Sequence, residues 1–301
     1  MTIAAVPHAG ELAAGATAFM WVASAVAFAR AGRDIGSLTV NVLRMAMAGV
    51  LYCLLGSAMG RPLPLDAPAA AWGLLAASGL LGFFLGDLCL FEAYVLIGPR
   101  RSLLILALVP AISAVLAMPT LGETLSLRQW LAMGVTLAGV AWVILERRPS
   151  GDALPHRHRV LGVILAILAA FAQAGGTVLS KIGMQCGYDP LGASHIRMLT
   201  GLAAFLILIT VMGRWGDVVA ACRRRKPMLQ VALGATTGPF LGVWLNLIAL
   251  NLAAVGVVNT IIATNPVLIL PAAILLDRER VSPRAWAGAV VAVAGVAWLV
   301  L

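Results

Sequence analysis

The sequence predicts an all-α polytopic membrane protein in which ten transmembrane helices form two inverted five-helix repeats. Three observations lead to this fold class. Apolar residues make up 61% of the 301 residues and charged residues only 11%, whereas a soluble domain carries roughly a quarter charged residues. Apolar runs of about 20 residues, the length that crosses a bilayer, recur along the chain. The sequence also repeats itself at a fixed offset.

The apolar runs place ten helices, with ends that are uncertain by a few residues. The predicted spans are 12–30, 38–58, 70–96, 102–119, 127–146, 160–181, 190–212, 228–250, 257–276 and 283–301. The connections between them are short, so we expect one membrane domain without an appended enzyme.

The repeat is clearest near the end of each half. The sequence Ala-Gly-Val-Ala-Trp occurs at Ala138–Trp142 and again at Ala294–Trp298. A proline and a glutamate precede each copy: Pro110 and Glu123, then Pro266 and Glu279. We therefore divide the chain into residues 1–150 and 151–301. Because five spans is an odd number, the second copy crosses the membrane upside down, as in secondary transporters whose substrate site lies between the halves.

The basic residues predict the orientation. Sixteen of the 21 Lys and Arg residues fall in the connections that follow spans 1, 3, 5, 7 and 9. The opposite side has only Arg61, Arg128 and Lys181. The positive-inside rule makes the first set cytoplasmic and places both termini in the periplasm. The net charge of +9 thus belongs to membrane loops, and we expect no nucleic-acid partner.

Ionisable residues inside the predicted spans are the first functional candidates, because a charge in the bilayer is costly. Span 3 carries Asp87 and Glu92, and span 2 carries Arg44 at a depth similar to that of Glu92. We interpret Arg44 and Glu92 as a structural ion pair. Asp87 lies deeper, and two interpretations stay open for it: a pair with Arg44, or a contact with substrate or a proton.

The second half differs from the first at these positions. The equivalent residues are Asp87 and Asn246, Glu92 and Asn251, and Arg44 and Arg197. A substrate with an ammonium and a carboxylate group could use this difference, with Asp87 at the cation and Arg197 or an amide such as Asn246 at the anion. The alternative is that Arg197 extends to the membrane surface beside His195.

Further side chains are candidates for a substrate site in a cavity between the halves. Span 1 has an aromatic face, the equivalent face of span 6 can form hydrogen bonds, span 3 has aromatic residues near Asp87, and span 9 has a polar run beside a proline. The residues are Trp21, Ser24, Phe28, Gln173, Ser180, Phe83, Phe91, Thr264 and Asn265. For the faces of spans 1 and 6 the alternative is ordinary helix packing.

Small residues four apart in spans 3 and 8 predict close helix contacts. They are Ser78, Gly82 and Gly86, and Gly234, Gly238 and Gly242. The chain has no phosphate-binding glycine loop, H-E-x-x-H or G-x-S-x-G motif, and its four cysteines lack metal-ligand spacing. We therefore expect no enzyme activity, no cofactor and no metal.

The chain resembles the EamA-type members of the drug/metabolite transporter superfamily. The resemblance rests on the two five-helix repeats with their shared ends, and on Arg44-Met45 and Arg197-Met198 in equivalent helices. It is most similar overall to the YddG-type bacterial exporters of aromatic and other neutral amino acids. The resemblance implies an alternating-access carrier in the bacterial inner membrane, with amino acids and the lipid bilayer as its partners, and we expect a monomer.

Two other functions remain open at this point. Efflux of cationic drugs would suit an intramembrane acid such as Asp87 surrounded by aromatic rings. A channel or facilitator without alternating access, or a purely structural membrane protein, is the other possibility. The inverted repeat argues against a structural role.

Overall fold

The computed structural model describes residues 7–60, 63–146, 156–265, 267–268 and 282–301. All regular structure in these residues is helical. The helices are α1 (Ala9–Ile35), α2 (Ser37–Ala58), α3 (Ala69–Gly79), α4 (Asp87–Leu106), α5 (Val109–Leu121), α6 (Leu127–Glu146), α7 (His156–Gln185), α8 (Pro190–Val211), α9 (Trp215–Cys222), α10 (Arg225–Ala235), α11 (Val243–Leu252), α12 (Val255–Ile262) and α13 (Pro283–Val300). Two π-helical segments, Leu80–Gly86 and Thr236–Gly242, join α3 to α4 and α10 to α11.

Seven helical stretches of the described residues are long and apolar enough to cross a membrane, and α5 is a shorter apolar helix. Most predicted spans lie on helices within a few residues. Predicted span 257–276 begins on α12 and continues outside the described residues, where Pro266 and Glu279 also lie. The structure therefore does not test the predicted total of ten spans.

The predicted connection at residues 97–101 is wrong. Helix α4 continues through it to Leu106, and the chain leaves the helix only before α5 begins at Val109. Membrane helices tolerate an internal proline such as Pro99 because neighbouring groups can satisfy the freed carbonyl. The next proline, Pro110, lies in the first turn of α5, where a proline removes no helical hydrogen bond.

A local signal fixes where helix α8 begins. The Asp189 side chain accepts hydrogen bonds from the backbone N–H groups of Leu191 and Gly192, both at 3.0 Å, and Pro190 occupies the first turn of α8. An aspartate cap followed by proline is a strong helix start. This start sets the position of Arg197, two turns further along α8.

Helices from the two ends of the chain pack against one another in reciprocal pairs. Helix α1 lies against α10 and α11, while α7 lies against α3 and α4. Helix α2 packs against α8, α5 against α12, and α6 against α13. Each contact joins residues 1–150 to residues 151–301, so the two segments share one interior and do not form separate globular units.

Glycines allow the closest of these contacts. A methyl group at Gly139 of α6 would lie 2.4 Å from the backbone nitrogen of Ala292 in α13, and a methyl group at Gly295 of α13 would lie 2.5 Å from Thr136 Oγ1. Both distances are too short for non-bonded atoms, so α6 and α13 approach as closely as glycine permits.

Gly139→Ala is expected to lower the free energy of unfolding by roughly 1–3 kcal/mol, because overpacking pushes α6 and α13 apart. Gly134→Ala, on the same helix, is the matched control, since its methyl group meets no atom within 4 Å. Thermal unfolding of the two purified variants in detergent checks the difference. Equal melting temperatures would contradict this packing.

Candidate functional site

Arg44 of α2 forms an ion pair with Asp87, the first residue of α4. The two side chains are only 13% and 16% exposed, and the Arg44 guanidinium lies 5.4 Å from the centroid of the Phe28 ring. Charge-assisted hydrogen bonds and a cation–π contact both favour a guanidinium in such a setting. Two interpretations were open for Asp87, and the structure shows the first of them, a pair with Arg44.

The predicted pair between Arg44 and Glu92 is wrong. Glu92 is exposed, and Arg44 is bonded to Asp87 instead. Five residues correspond to about 140° around an α-helix, so Asp87 and Glu92 lie on different faces of α4. The pair with Arg44 is therefore made from the Asp87 side of α4.

Arg197 of α8 is also buried, but it has no acidic partner among the described residues. It is 5% exposed, and its Nε and Nη1 atoms have no hydrogen-bond partner in the described part of the chain. Its guanidinium lies 4.8 Å from the centroid of the Phe83 ring. Such a cation–π contact, worth about 2 kcal/mol when desolvated, offsets only part of the cost of burying the charge. The alternative in which Arg197 extends to the membrane surface is wrong.

Asn246 of α11 is buried as well, with 5% exposure. Its Oδ1 atom has no hydrogen-bond partner among the described residues, and α11 packs against α8. The predicted repeat aligns Arg44 and Asp87 with Arg197 and Asn246, so an arginine with a carboxylate in residues 1–150 corresponds to an arginine with an amide in residues 151–301. The positive charge of Arg197 is therefore left without a counter-charge in the described interior.

The aromatic face of α1 packs on the glycine stripe that runs from α10 to α11. The contacts are Trp21 with Gly242, Ser24 with Gly238 and Phe28 with Gly234, where an added methyl group would lie 2.6, 2.9 and 2.4 Å away. This confirms the predicted close packing of the stripe. In this conformation the three side chains of α1 pack against the neighbouring helix. This is the ordinary helix packing that the sequence left open as the alternative for this face.

The face of α7 predicted to correspond to the aromatic face of α1 packs in the same way, on α3 and on the π-helical segment Leu80–Gly86. The contacts are Gln173 with Gly86, Gly176 with Gly82 and Ser180 with Ser78. Ser78 Oγ donates to the Gly176 carbonyl at 2.5 Å and lies 2.7 Å from Ser180 Oγ. Gln173 and Ser180 thus lie in a helix contact that corresponds to the packing of α1 on its glycine stripe. The side chain of Phe91, another candidate near Asp87, lies outside the described residues.

The polar run at the end of α12 is hydrogen-bonded within the protein. Thr264 Oγ1 donates to the carbonyl three residues earlier at 2.6 Å. With its amide oriented to donate, Asn265 reaches the carbonyl of Ala18 in α1 at 3.1 Å. Asn259 Nδ2 donates to Ser113 Oγ of α5 at 2.8 Å. The α12 end is therefore tied both to α1 and to α5.

A second, largely buried ion pair joins residues 1–150 to residues 151–301. Glu123 Oε1 lies 2.6 Å from Lys181 Nζ, and the side chains are 16% and 13% exposed. Glu123 Oε2 accepts a hydrogen bond from the Val255 N–H at 2.8 Å, and Lys181 Nζ donates to the Ala253 carbonyl at 2.5 Å. Gly122, with a φ of 65°, makes the turn after α5 that brings Glu123 to α7. This link ties together α5, α7 and the turn between α11 and α12.

A small, open pocket lies between the end of α2 and the turn that joins α7 to α8. At its outer part, Tyr188 Oη donates to Asp66 at 2.8 Å. Deeper in its wall, the rings of Tyr52 and His195 stack 5.6 Å apart. The pocket therefore reaches α8 two residues before Arg197.

Sequence reasoning did not single out Tyr52 or Lys181 as site residues. Tyr52 Oη donates to the Phe240 carbonyl at 2.8 Å, within the π-helical segment that contains Pro239. The available signals were a tyrosine in an apolar span and a lysine near the end of α7. Both signals are weak without knowledge of which helices are neighbours.

Comparison with known proteins identifies the family. The model of the EamA-like transporter family matches residues 8–145 and 160–301. This chain belongs to the EamA-like transporter family. EamA-like transporters are multi-pass membrane proteins that move small molecules and are not enzymes. The predicted class of membrane transporter, and the prediction of no enzyme activity, agree with that membership.

The fold of this EamA-like transporter is shared with an experimentally determined structure. A solved structure described as "Crystal structure of protein" aligns with 97% of this chain and 96% of its own, at 18% sequence identity and a TM-score of 0.78. At that identity the likeness concerns the fold alone. A search among curated proteins finds no match.

Proposed function

We propose that this EamA-like transporter is an alternating-access carrier that exports amino acids, aromatic and other neutral ones included, as YddG-type exporters do. The reciprocal packing carries this proposal: α1 lies on α10 and α11 as α7 lies on α3 and α4. Two inverted five-helix repeats, residues 1–150 and 151–301, with ten helices in all, account for this arrangement. Rocking one repeat against the other would open the buried interface to each side of the membrane in turn.

The proposed setting is the bacterial inner membrane, with a monomeric protein whose termini lie in the periplasm. The distribution of basic residues supports this orientation. Arg224 Nη1 donates to the Asp34 carbonyl at 2.5 Å, so the basic connections after α1 and before α10 lie on the same face. That face is the proposed cytoplasmic side, and the Glu123–Lys181 pair lies towards the other.

The buried charges fit an amino acid better than a cationic drug. A cationic drug would need the Asp87 carboxylate, which is paired with Arg44. The charge left without a partner in the described interior is the positive charge of Arg197, which repels a cation and attracts a carboxylate. We propose a site near Phe83, Asp87 and Asn246 that further side chains join when the repeats separate. These are Trp21, Ser24, Phe28, Phe91, Gln173, Ser180, Thr264 and Asn265.

Uptake of labelled L-phenylalanine into proteoliposomes tests the substrate class. An excess of unlabelled L-leucine is expected to compete, whereas tetraphenylphosphonium, a permanent cation, is not. Protein-free liposomes give the background. Competition by the cation alone, or the absence of any amino-acid uptake, would contradict the proposed function.

A further inference from the structure

The guanidinium of Arg197 is the charged group in the described interior for which the protein supplies no counter-charge. It is 5% exposed and two of its three nitrogens have no hydrogen-bond partner among the described residues. A buried charge of this kind is costly. Its cation–π contact with Phe83 provides no hydrogen-bond acceptor.

The same fold contains a guanidinium whose charge is neutralised. Arg44, the residue equivalent to Arg197, binds the carboxylate of Asp87. The residue equivalent to Asp87 is Asn246, whose neutral amide cannot neutralise an arginine. The difference between the two segments is thus one missing carboxylate.

The immediate neighbours of Arg197 include a glycine and an aromatic ring, and no acid among the described residues. Gly82 lies next to Nη2, and a methyl group there would come within 3.3 Å of that nitrogen. The pocket between α2 and the α7–α8 turn is lined by Tyr52 and His195, and His195 is on the same helix, half a turn before Arg197. Arg197 does not line this pocket, and residues two apart lie on nearly opposite sides of an α-helix. In the proposed cycle, access to the guanidinium therefore comes from separation of the repeats.

We propose that Arg197 binds the carboxylate of the transported molecule, so that a free carboxylate is required for transport. The substrate supplies the negative charge that Asp87 supplies to Arg44, and guanidinium–carboxylate pairs form the most directional of charge-assisted hydrogen bonds. This inference rests on the proposed function, and it narrows the substrate class to carboxylate-bearing amino acids. Asp87 remains bound to Arg44 and is not the ammonium site.

The direct test compares L-phenylalanine with L-phenylalaninamide on the unmodified protein. The amide keeps the ring and the amine but lacks the carboxylate. We expect it to compete for labelled L-phenylalanine uptake at least tenfold more weakly, since loss of a hydrogen-bonded charge typically costs about 10- to 100-fold in affinity. Equal competition by the two compounds would overturn the inference while leaving amino-acid transport standing. Absence of any amino-acid uptake would instead overturn the proposed function itself.

Variants at Arg197 provide the second arm. Arg197→Gln is expected to bind L-phenylalanine at least about tenfold more weakly and to lose its preference for the acid over the amide, and Arg197→Lys to keep part of it, because lysine retains the charge but not the paired donors. Arg214→Gln is the matched control, since Arg214 is 47% exposed and paired on the surface with Asp217. If Arg197→Gln lowers uptake but keeps the preference for the acid, Arg197 is structural and the inference fails. If that variant does not fold, the comparison of acid and amide on the unmodified protein decides.

Discussion

Asp87→Asn is expected to lower the free energy of unfolding by about 3–5 kcal/mol, because it leaves the buried guanidinium of Arg44 without its carboxylate. The change is nearly isosteric, so the loss reports the charge pair and not a change of shape. Glu92→Gln is the matched control, five residues along the same helix. Glu92 is exposed, so its variant is expected to unfold like the unmodified protein. Thermal or denaturant unfolding in detergent measures both.

Removal of both charges distinguishes a structural pair from a substrate contact. Arg44→Met combined with Asp87→Leu is expected to recover most of the lost stability, because apolar side chains of similar volume replace a buried ion pair at little cost. If the double variant is as unstable as Asp87→Asn, or if Glu92→Gln is equally harmful, the assignment of the Arg44–Asp87 pair is contradicted.

Lys181→Met is expected to destabilise the protein by a similar amount, about 3–5 kcal/mol, because it strands the carboxylate of Glu123 in a buried position. It also releases the Ala253 carbonyl from its donor, which loosens the tie between α7 and the α11–α12 turn. We therefore expect slower L-phenylalanine uptake as well as a lower melting temperature. Arg128→Gln is the control, since Arg128 is an exposed basic residue at the start of α6.

Exchanging the charges of Glu123 and Lys181 is not expected to restore the stability of the protein. Glu123 also accepts from the Val255 N–H, and Lys181 also donates to the Ala253 carbonyl. Backbone groups have fixed polarity, so a lysine at position 123 would face a donor and a glutamate at position 181 would face an acceptor. Full recovery of stability in Glu123→Lys combined with Lys181→Glu would show that the backbone contacts contribute nothing.

The helices and their close contacts follow from local features of the sequence. Apolar length predicts a span because the bilayer fixes how many residues must be buried. The stripe of Gly234, Gly238 and Gly242 predicts a close contact because a missing side chain leaves the backbone open to any neighbour. The neighbour itself, the Trp21 face of α1, depends on tertiary packing, and no pattern within either span identifies it.

The charge pairs could not be predicted in the same way. The π-helical segment Leu80–Gly86 changes the rotation of all the residues that follow it. The sequence places Glu92, and not Asp87, at the depth of Arg44, but depth alone does not say which of the two acids faces α2. The Glu123–Lys181 pair joins the ends of helices that are distant in sequence, which periodicity does not report.

Comparison of the two halves gave the most useful prediction about the site. The exchange of Asp87 for Asn246 is visible in the sequence alone. Its consequence is visible only in the structure, where Arg44 has its carboxylate and Arg197 has no acidic partner among the described residues. Sequence comparison located the asymmetry, and packing determined which arginine was left with a free charge.

Uptake of labelled L-phenylalanine into proteoliposomes preloaded with unlabelled L-phenylalanine tests the central claim most directly. A carrier whose single site faces each side in turn returns faster when loaded, so preloading is expected to accelerate uptake. A channel has no such loaded return step. Uptake that is unsaturable and indifferent to preloading would contradict the proposal of an alternating-access amino-acid carrier.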